Sequence, residues 1–214
     1  MQSPASGSPV AAELIRRAQQ LGLAGQAPAD DHVRHAIGFL EALEAHGSRH
    51  AGMRTLDLGS GGGIPGLVIA ERWPEISISL LDASEKRCQL LRDWILESGW
   101  SEHADVLCGR AEELGREAGL RGSFDAVVSR SFGPPPATVE CAAPFLKLHG
   151  VLIVSDPPSS AGPYRWPSHG VGMVGLELAS RIAEPYHFSI FRKARECPER
   201  FPRRTGVPVK RPLF

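Results

Sequence analysis

From Met53 to Ser155 the chain alternates two kinds of segment, and no other feature constrains its fold as strongly. Short apolar runs end on a polar residue or turn position: MRTLDL at 53–58, ISISLLDA at 76–83, ADVLCG at 104–109, FDAVVS at 124–129 and GVLIVS at 150–155. Between them lie segments of helical character. Pro65 stands where a helix can open, and GLVIAERW carries it on to Pro74. In 84–99, Leu90, Leu91, Trp94 and Ile95 share one helical face. AEELGREAG predicts a short helix at 111–119, and ATVECAAPFLK a helix at 137–147 closed by LHG. Strands alternating with helices predict a parallel sheet with right-handed crossovers. The ligand crevice of such a sheet lies at the carboxyl ends of its strands, where Asp57, Asp82, Gly109 and Ser129-Arg130 fall.

The flanks complete the organisation. Residues 10–22 and 30–46 predict two helices, the second with Val33, Ile37, Leu40 and Leu43 at helical spacing, before Gly47 and SRHAG break the pattern. They form an expected cap over 1–50, with Ser3–Pro9 as a frayed tail, and a main domain over 51–214. Residues 156–170 read as a Pro/Gly-rich loop, and 175–194 supply two more strands. The fold class is therefore α/β: a mostly parallel seven-stranded sheet with helices on both faces and an N-terminal helical cap. No apolar run reaches the ~20 residues of a membrane span, and the N-terminus lacks a basic start followed by an apolar block. A cytoplasmic, monomeric protein is expected.

The first crossover opens on LDLGSGGGIPG, where two patterns overlap. Gly61, Gly63 and Gly66 satisfy the GxGxxG of dinucleotide binding, and Asp57, Gly59, Gly61 and Gly63 satisfy the DxGxGxG of S-adenosylmethionine sites. Both patterns bare the backbone for close approach. Both want an acid about twenty residues on for the ribose hydroxyls, and Asp82 stands there. Asp57 would crowd a pyrophosphate but suits a cationic ligand, directly or through water. Pro65 removes a donor that a phosphate would want. The methyl donor is thereby favoured over a dinucleotide and over a purely structural turn.

Charge and cysteine usage add partners and exclusions. The 24 Lys and Arg balance the 24 Asp and Glu, yet eight of those cations and only Glu196 and Glu199 fall in 192–214. That segment is +6 and the remainder −6, which suggests an anionic partner or else a solvated tail. The four cysteines form no CxxC pair and read as reduced thiols. His32 and His35, at i and i+3, lack a third ligand; no metal is expected, and helix packing is the default role.

In combination these stretches resemble the bacterial small-subunit ribosomal RNA guanine-N7 methyltransferases, the RsmG or glucose-inhibited division protein B family. LDLGSGGGIPGLVIA, LLDASEKRCQLL, GRAEEL, FDAVVSRSF and FPRRTGVPVKRPL occur in order, from about Arg54 to the C-terminus. The resemblance implies a Rossmann-like class I methyltransferase fold and S-adenosylmethionine as cofactor. It implies N7-methylation of a guanine in 16S ribosomal RNA (position 527 in the usual numbering of that RNA), free or in a small-subunit precursor. Donor contacts are implied at Gly59, Ile64, Ala111, Glu112 and Arg130, with Ala111 and Glu112 bordering the adenine. Arg203, Arg204, Lys210 and Arg211 would hold RNA phosphates, and Phe132 is placed to stack on a base or to pack in the core. The chain departs from the family in lacking its N-terminal Trp-Asn…Asn-Leu-Thr pattern; only the region of His35 is faintly similar.

Guanine N7 carries an exposed lone pair, so its methylation needs no general base. Apart from a possible contribution of Arg130, no catalytic side chain is expected, and orientation carries the reaction. Rival readings are an exocyclic-amine methyltransferase, a small-molecule methyltransferase of the same fold, an NAD-binding oxidoreductase and a non-catalytic RNA-binding protein. SDPPSS at 155–160 is similar to the motif of the first, but it follows the fifth strand, has Ser159 at the aromatic position, and reads as a loop.

Overall fold

The apolar runs pair into one sheet. Its strands are β1 (Arg54–Leu58), β2 (Ser77–Asp82), β3 (Ala104–Cys108), β4 (Phe124–Ser129), β5 (Leu146–Ser155), β6 (Leu176–Ile182) and β7 (Phe188–Lys193). Their order is β3-β2-β1-β4-β5-β7-β6. The first five run parallel, and β7 is antiparallel to both β5 and β6. The helices are α1 (Pro9–Gln20), α2 (Ala29–Ala45), α3 (Gly66–Arg72), α4 (Glu85–Glu97), α5 (Ala111–Leu114), α6 (Pro135–Ala142), α7 (Ser168–Gly172) and α8 (Val207–Lys210). This computed structural model describes residues 8–46, 49–157 and 165–214. The expectations for the tail at 3–7, for the break at Gly47 and Ser48, and for 158–164 lie outside the described residues.

Side-chain parity divides the sheet between two cores. Ile78, Leu80, Ala126, Val128, Ile153 and Ile190 face α1 to α4, where they meet Leu14, Phe39, Leu43, Leu67, Leu91 and Trp94. Leu56, Leu58, Leu81, Val127, Leu152 and Phe191 face the other way, against Ala111, Val139, Ala142 and Val171 of α5 to α7. Both faces being covered explains why the central strands read as unbroken apolar runs. The cap belongs to the first core, since Leu14 of α1 and Phe39 and Leu43 of α2 share one cluster with the strands. A third cluster joins Ile15, Val33 and Ala36 of the cap to Ile64 and Val68. The cap is thus seated on the glycine turn and the helix that follows it.

Three expectations about elements change. The helix expected at 137–147 ends at Ala142, because Pro144 cannot continue it. Leu146–His149 instead lengthen β5, with a register shift against β4 between Phe124 and Ala126. The helix expected at 111–119 stops at Leu114, with Gly115 at its C-cap. The loop expected over 156–170 contains the start of α7 at Ser168. The basic end is a packed segment: Phe201, Pro202 and Pro208 are buried and α8 interrupts it.

Candidate active site

The build direction of the sheet reverses between β1 and β4, and a parallel sheet places its crevice outside the carboxyl ends of such strands. Three adjoining hollows open there. One of about 420 Å³ is walled by Gly59, Gly61, Asp82, Ala111, Glu112 and Phe132, among others. A second, of about 340 Å³, is walled by Leu23, Gly25, His32, Gly61, Ile64 and Arg130. The third, of about 510 Å³, is walled by His35, Arg130, Phe132, Thr138, Ser155 and Asp156. Ser131 borders all three. Its φ of +58° is unusual for a residue with a side chain, and the turn it makes carries Arg130 and Phe132 to the junction.

The glycine turn separates into packing and opening. A side chain at Gly59 would meet the Phe132 ring at 2.6 Å, and one at Gly63 would meet Leu67 at 2.3 Å. At Gly61, with φ +55°, nothing lies nearer than the Gly59 carbonyl at 3.9 Å. Gly61 therefore faces open space in the two smaller hollows, as a turn that admits a ligand should. Gly62 is closed from the opposite side, where a Cβ would lie 2.8 Å from the Leu23 carbonyl oxygen. Sequence spacing could not show that the loop between α1 and α2 leans on the turn.

The two acids behave differently. Asp57 is fully buried and does not line the hollows. Its Oδ2 accepts the Gly66 N–H at 2.9 Å, anchoring the first residue of α3. Burial pushes this carboxyl up to about 7, against the lowering effect of the Gly66 hydrogen bond. Asp57, expected beside a cationic ligand, is here a buried carboxyl that ties turn to helix. Asp82 does line the first hollow. Its Oδ2 accepts the Gly61 N–H at 3.0 Å, and its Oδ1 accepts Ser84 N–H at 2.8 Å and Arg87 Nε at 2.9 Å. A carboxylate has about four acceptor positions, so Oδ2 retains one for a hydroxyl. Ala111 and Glu112 line the same hollow.

Arg130 is mostly buried, and burial lowers its guanidinium, offset by the nearby Asp57 charge. Its Nη2 donates to His32 Nδ1 at 2.9 Å. Its Nη1 is buried without a hydrogen-bond partner. His35, one helical turn from His32, bonds through Nε2 to Ser155 Oγ at 2.9 Å. Burial first, then the Arg130 charge, push the His35 ring down to about 4, so it is neutral at physiological pH. Asp156, whose SDPP setting read as a plain loop, gathers Arg165 Nε, Trp166 Nε1 and Ser189 Oγ at the rim of the largest of these three hollows. Spacing alone offered the histidine pair a metal role, a packing role or a place on the surface. Their separation by one turn was the signal that both face one neighbour. Among the described residues no three His, Cys, Asp or Glu side chains gather as a metal site.

The four basic candidates divide. Arg203 is held by Glu140: Nε donates to Oε1 at 2.8 Å, Nη2 to Oε2 at 2.6 Å, and its own N–H to Oε1 at 2.8 Å. Glu140 is fully buried, so Arg203 serves the fold, a structural role that its expected phosphate contact did not include. Arg204, Lys210 and Arg211 are exposed. Two acids of α5 fasten the same segment: Glu112 Oε1 accepts Gly206 N–H at 2.9 Å, and Glu113 Oε1 accepts Thr205 Oγ1 at 2.8 Å.

The sequence profile of the family described as rRNA small subunit methyltransferase G (GidB) matches residues 10–155. The match takes in the helical cap, beyond the stretch from Arg54 that carried the resemblance. A curated relative of that description in Deinococcus radiodurans is 34% identical over 193 residues, covering 85% of this chain and 74% of the relative. Another, in Rubrobacter xylanophilus, is 30% identical over 208 residues, covering 92% and 78%. Among solved structures, a protein of Galdieria sulphuraria described as a sarcosine dimethylglycine methyltransferase superposes with a TM-score of 0.61 at 16% identity, covering 77% of this chain and 87% of that one. The [4+2]-cyclase SpnF superposes with a TM-score of 0.60 at 17% identity, covering 90% and 99%. At such identities the likeness is one of fold, and the fold houses more than one reaction.

Proposed function

Because this chain belongs to the rRNA small subunit methyltransferase G family, we propose that it transfers a methyl group from S-adenosylmethionine to N7 of a guanine in 16S ribosomal RNA. The observation that carries this reading is the meeting of three hollows at Arg130-Ser131-Phe132. Two of them share the open Gly61 and would take the two ends of the donor, and the third would admit a base.

The residues fit the donor. Asp82 Oδ2 would accept a ribose hydroxyl. Ala111 and the remaining acceptor positions of Glu112 would border the adenine. Gly59, Gly61 and Ile64 would line the path of the chain between the donor's two ends, while Asp57 and Gly63 brace the turn from behind. Arg130 Nη1, buried and unpaired, would receive the carboxylate of the amino-acid end, a charge-assisted bond of the stronger kind.

When bound, S-adenosylmethionine supplies an electrophilic methyl on a sulfonium. The chain's part is positional. Guanine N7 carries its own lone pair, so these residues would need only to hold it in line with the donor's methyl and to exclude water, with no proton to move. A side chain acting as base is therefore unnecessary. The ionisable groups around the base hollow suit this, with His35 neutral on Ser155 and Asp156 tied to Arg165. Phe132, between the hollows, would stack on the base and set N7 in line with the methyl.

The test is direct. Purified protein is incubated with S-adenosylmethionine and 16S ribosomal RNA, free or in small subunits, from cells lacking the gene. The digested RNA should contain new 7-methylguanosine at a single site. Unmodified guanine throughout, or methyl groups on an exocyclic amine, would overturn the reading.

A further inference from the structure

His32 bonds on both sides, and its two partners fix which nitrogen carries the proton. Arginine has donors only, so Nδ1, 2.9 Å from Arg130 Nη2, is the acceptor. The proton of the neutral ring then lies on Nε2, which faces the Gly25 carbonyl oxygen at 2.9 Å, an atom that can only accept. One tautomer satisfies both bonds. The Gly25 carbonyl is itself fixed from the other side, since Gln19 Nε2 donates to it and to the Ala27 carbonyl, each at 2.6 Å. The ring thus links the α1–α2 loop to the residue that follows β4, across the hollow that holds Gly61.

We infer that His32 is a positioning residue for the donor: it aims the Arg130 guanidinium at the donor's carboxylate, so that the helical cap completes the site. This inference rests on the donor reading above. Its physical basis is the kind of partner Arg130 has. A carboxylate in the place of His32 would orient the guanidinium but cancel its charge. A neutral imidazole orients it through one nitrogen without adding a counter-charge of its own. The other terminal nitrogen, Nη1, is buried without a partner and completes the fork.

Two ligands and three variants test it, with calorimetry as the readout. S-adenosylhomocysteine carries the amino-acid end; 5′-methylthioadenosine keeps the adenosine and lacks that end. His32→Gln can keep the Gly25 bond through its terminal amide but places no acceptor at the Nδ1 position. It should weaken S-adenosylhomocysteine about tenfold or more and leave 5′-methylthioadenosine within about twofold. His32→Asn places its carbonyl oxygen where Nδ1 was and should restore most of the loss. Equal weakening of both ligands in His32→Gln, or Asn no better than Gln, would reduce His32 to a structural residue and overturn the inference. Arg130→Met separates the two levels. If it abolishes the preference for S-adenosylhomocysteine and His32→Gln does not, the His32 role alone falls. If Arg130→Met leaves that preference intact, the carboxylate reading of Arg130 falls and this inference with it. The melting temperature of each ligand-free variant monitors folding.

Discussion

Single residues decide whether the crevice stays open and how the molecule responds to pH. A side chain at Gly61 would enter empty space, and its main cost to the fold is the positive φ, about 1–2 kcal/mol. Gly61→Leu should therefore stay folded with a modestly lowered melting temperature while losing S-adenosylhomocysteine binding about a hundredfold or more by calorimetry; near-normal affinity would take Gly61 off the donor's path. Asp57 acts through protonation. Its carboxyl, pushed up to about 7 by burial, holds a proton in the folded chain that the unfolded chain, with an ordinary value near ~4, releases. Between those two values the folded state binds more protons, so stability should fall as pH rises, by up to about 1.4 kcal/mol per pH unit. Asp57→Asn should flatten urea-unfolding free energies across that window; an unchanged slope would assign the pH dependence elsewhere. The DxGxGxG spacing marked both residues but did not distinguish their duties. Burial made the difference, and spacing does not record burial.

At the scale of elements, the chain from Arg203 onward joins a structural strut to a charged surface. Arg203→Met would strand the buried Glu140 charge and should destabilise the protein by about 3 kcal/mol in denaturant titrations. Adding Glu140→Gln should recover part of that loss, and Arg204→Met should cost under about 0.5 kcal/mol. Replacing Arg204, Lys210 and Arg211 together by Ser should weaken RNA binding and lower its logarithmic salt slope by about 2. Donor affinity should stay unaltered, and fluorescence anisotropy across a salt series reads the change. Four strand–helix units and a fifth strand were legible because the central strands are buried on both faces and Gly, Pro and Asp mark the turns between segments. The ends of α5 and α6 were not, because Gly115 and Pro144 interrupt segments whose composition still favours helix. Nor did charge counting separate Arg203 from its neighbours, since its partner Glu140 lies 63 residues earlier in sequence.

Over the whole molecule, the cap and the sheet form one hydrophobic unit. Phe39 and Leu43 from the cap sit in the same cluster as Trp94 and the strand residues, so tryptophan fluorescence and far-ultraviolet circular dichroism should report a single coincident unfolding transition. Two separated transitions would mean that the cap unfolds on its own. The fold class, the crevice and the glycine turn could be read from the sequence. The cap's part in the site could not, because His32 meets a residue 98 positions away and no local pattern records such a meeting. The fastening of Gly206 to Glu112 has a consequence for substrate handling. Val209, in the helical turn that follows, also borders the hollow proposed for adenosine. A polyanion held on the outer side of that turn, as proposed, would load the same strut that shapes the wall of the hollow inside. Engagement of nucleic acid and retention of the spent cofactor would then share one mechanical part, and release of one would be felt by the other.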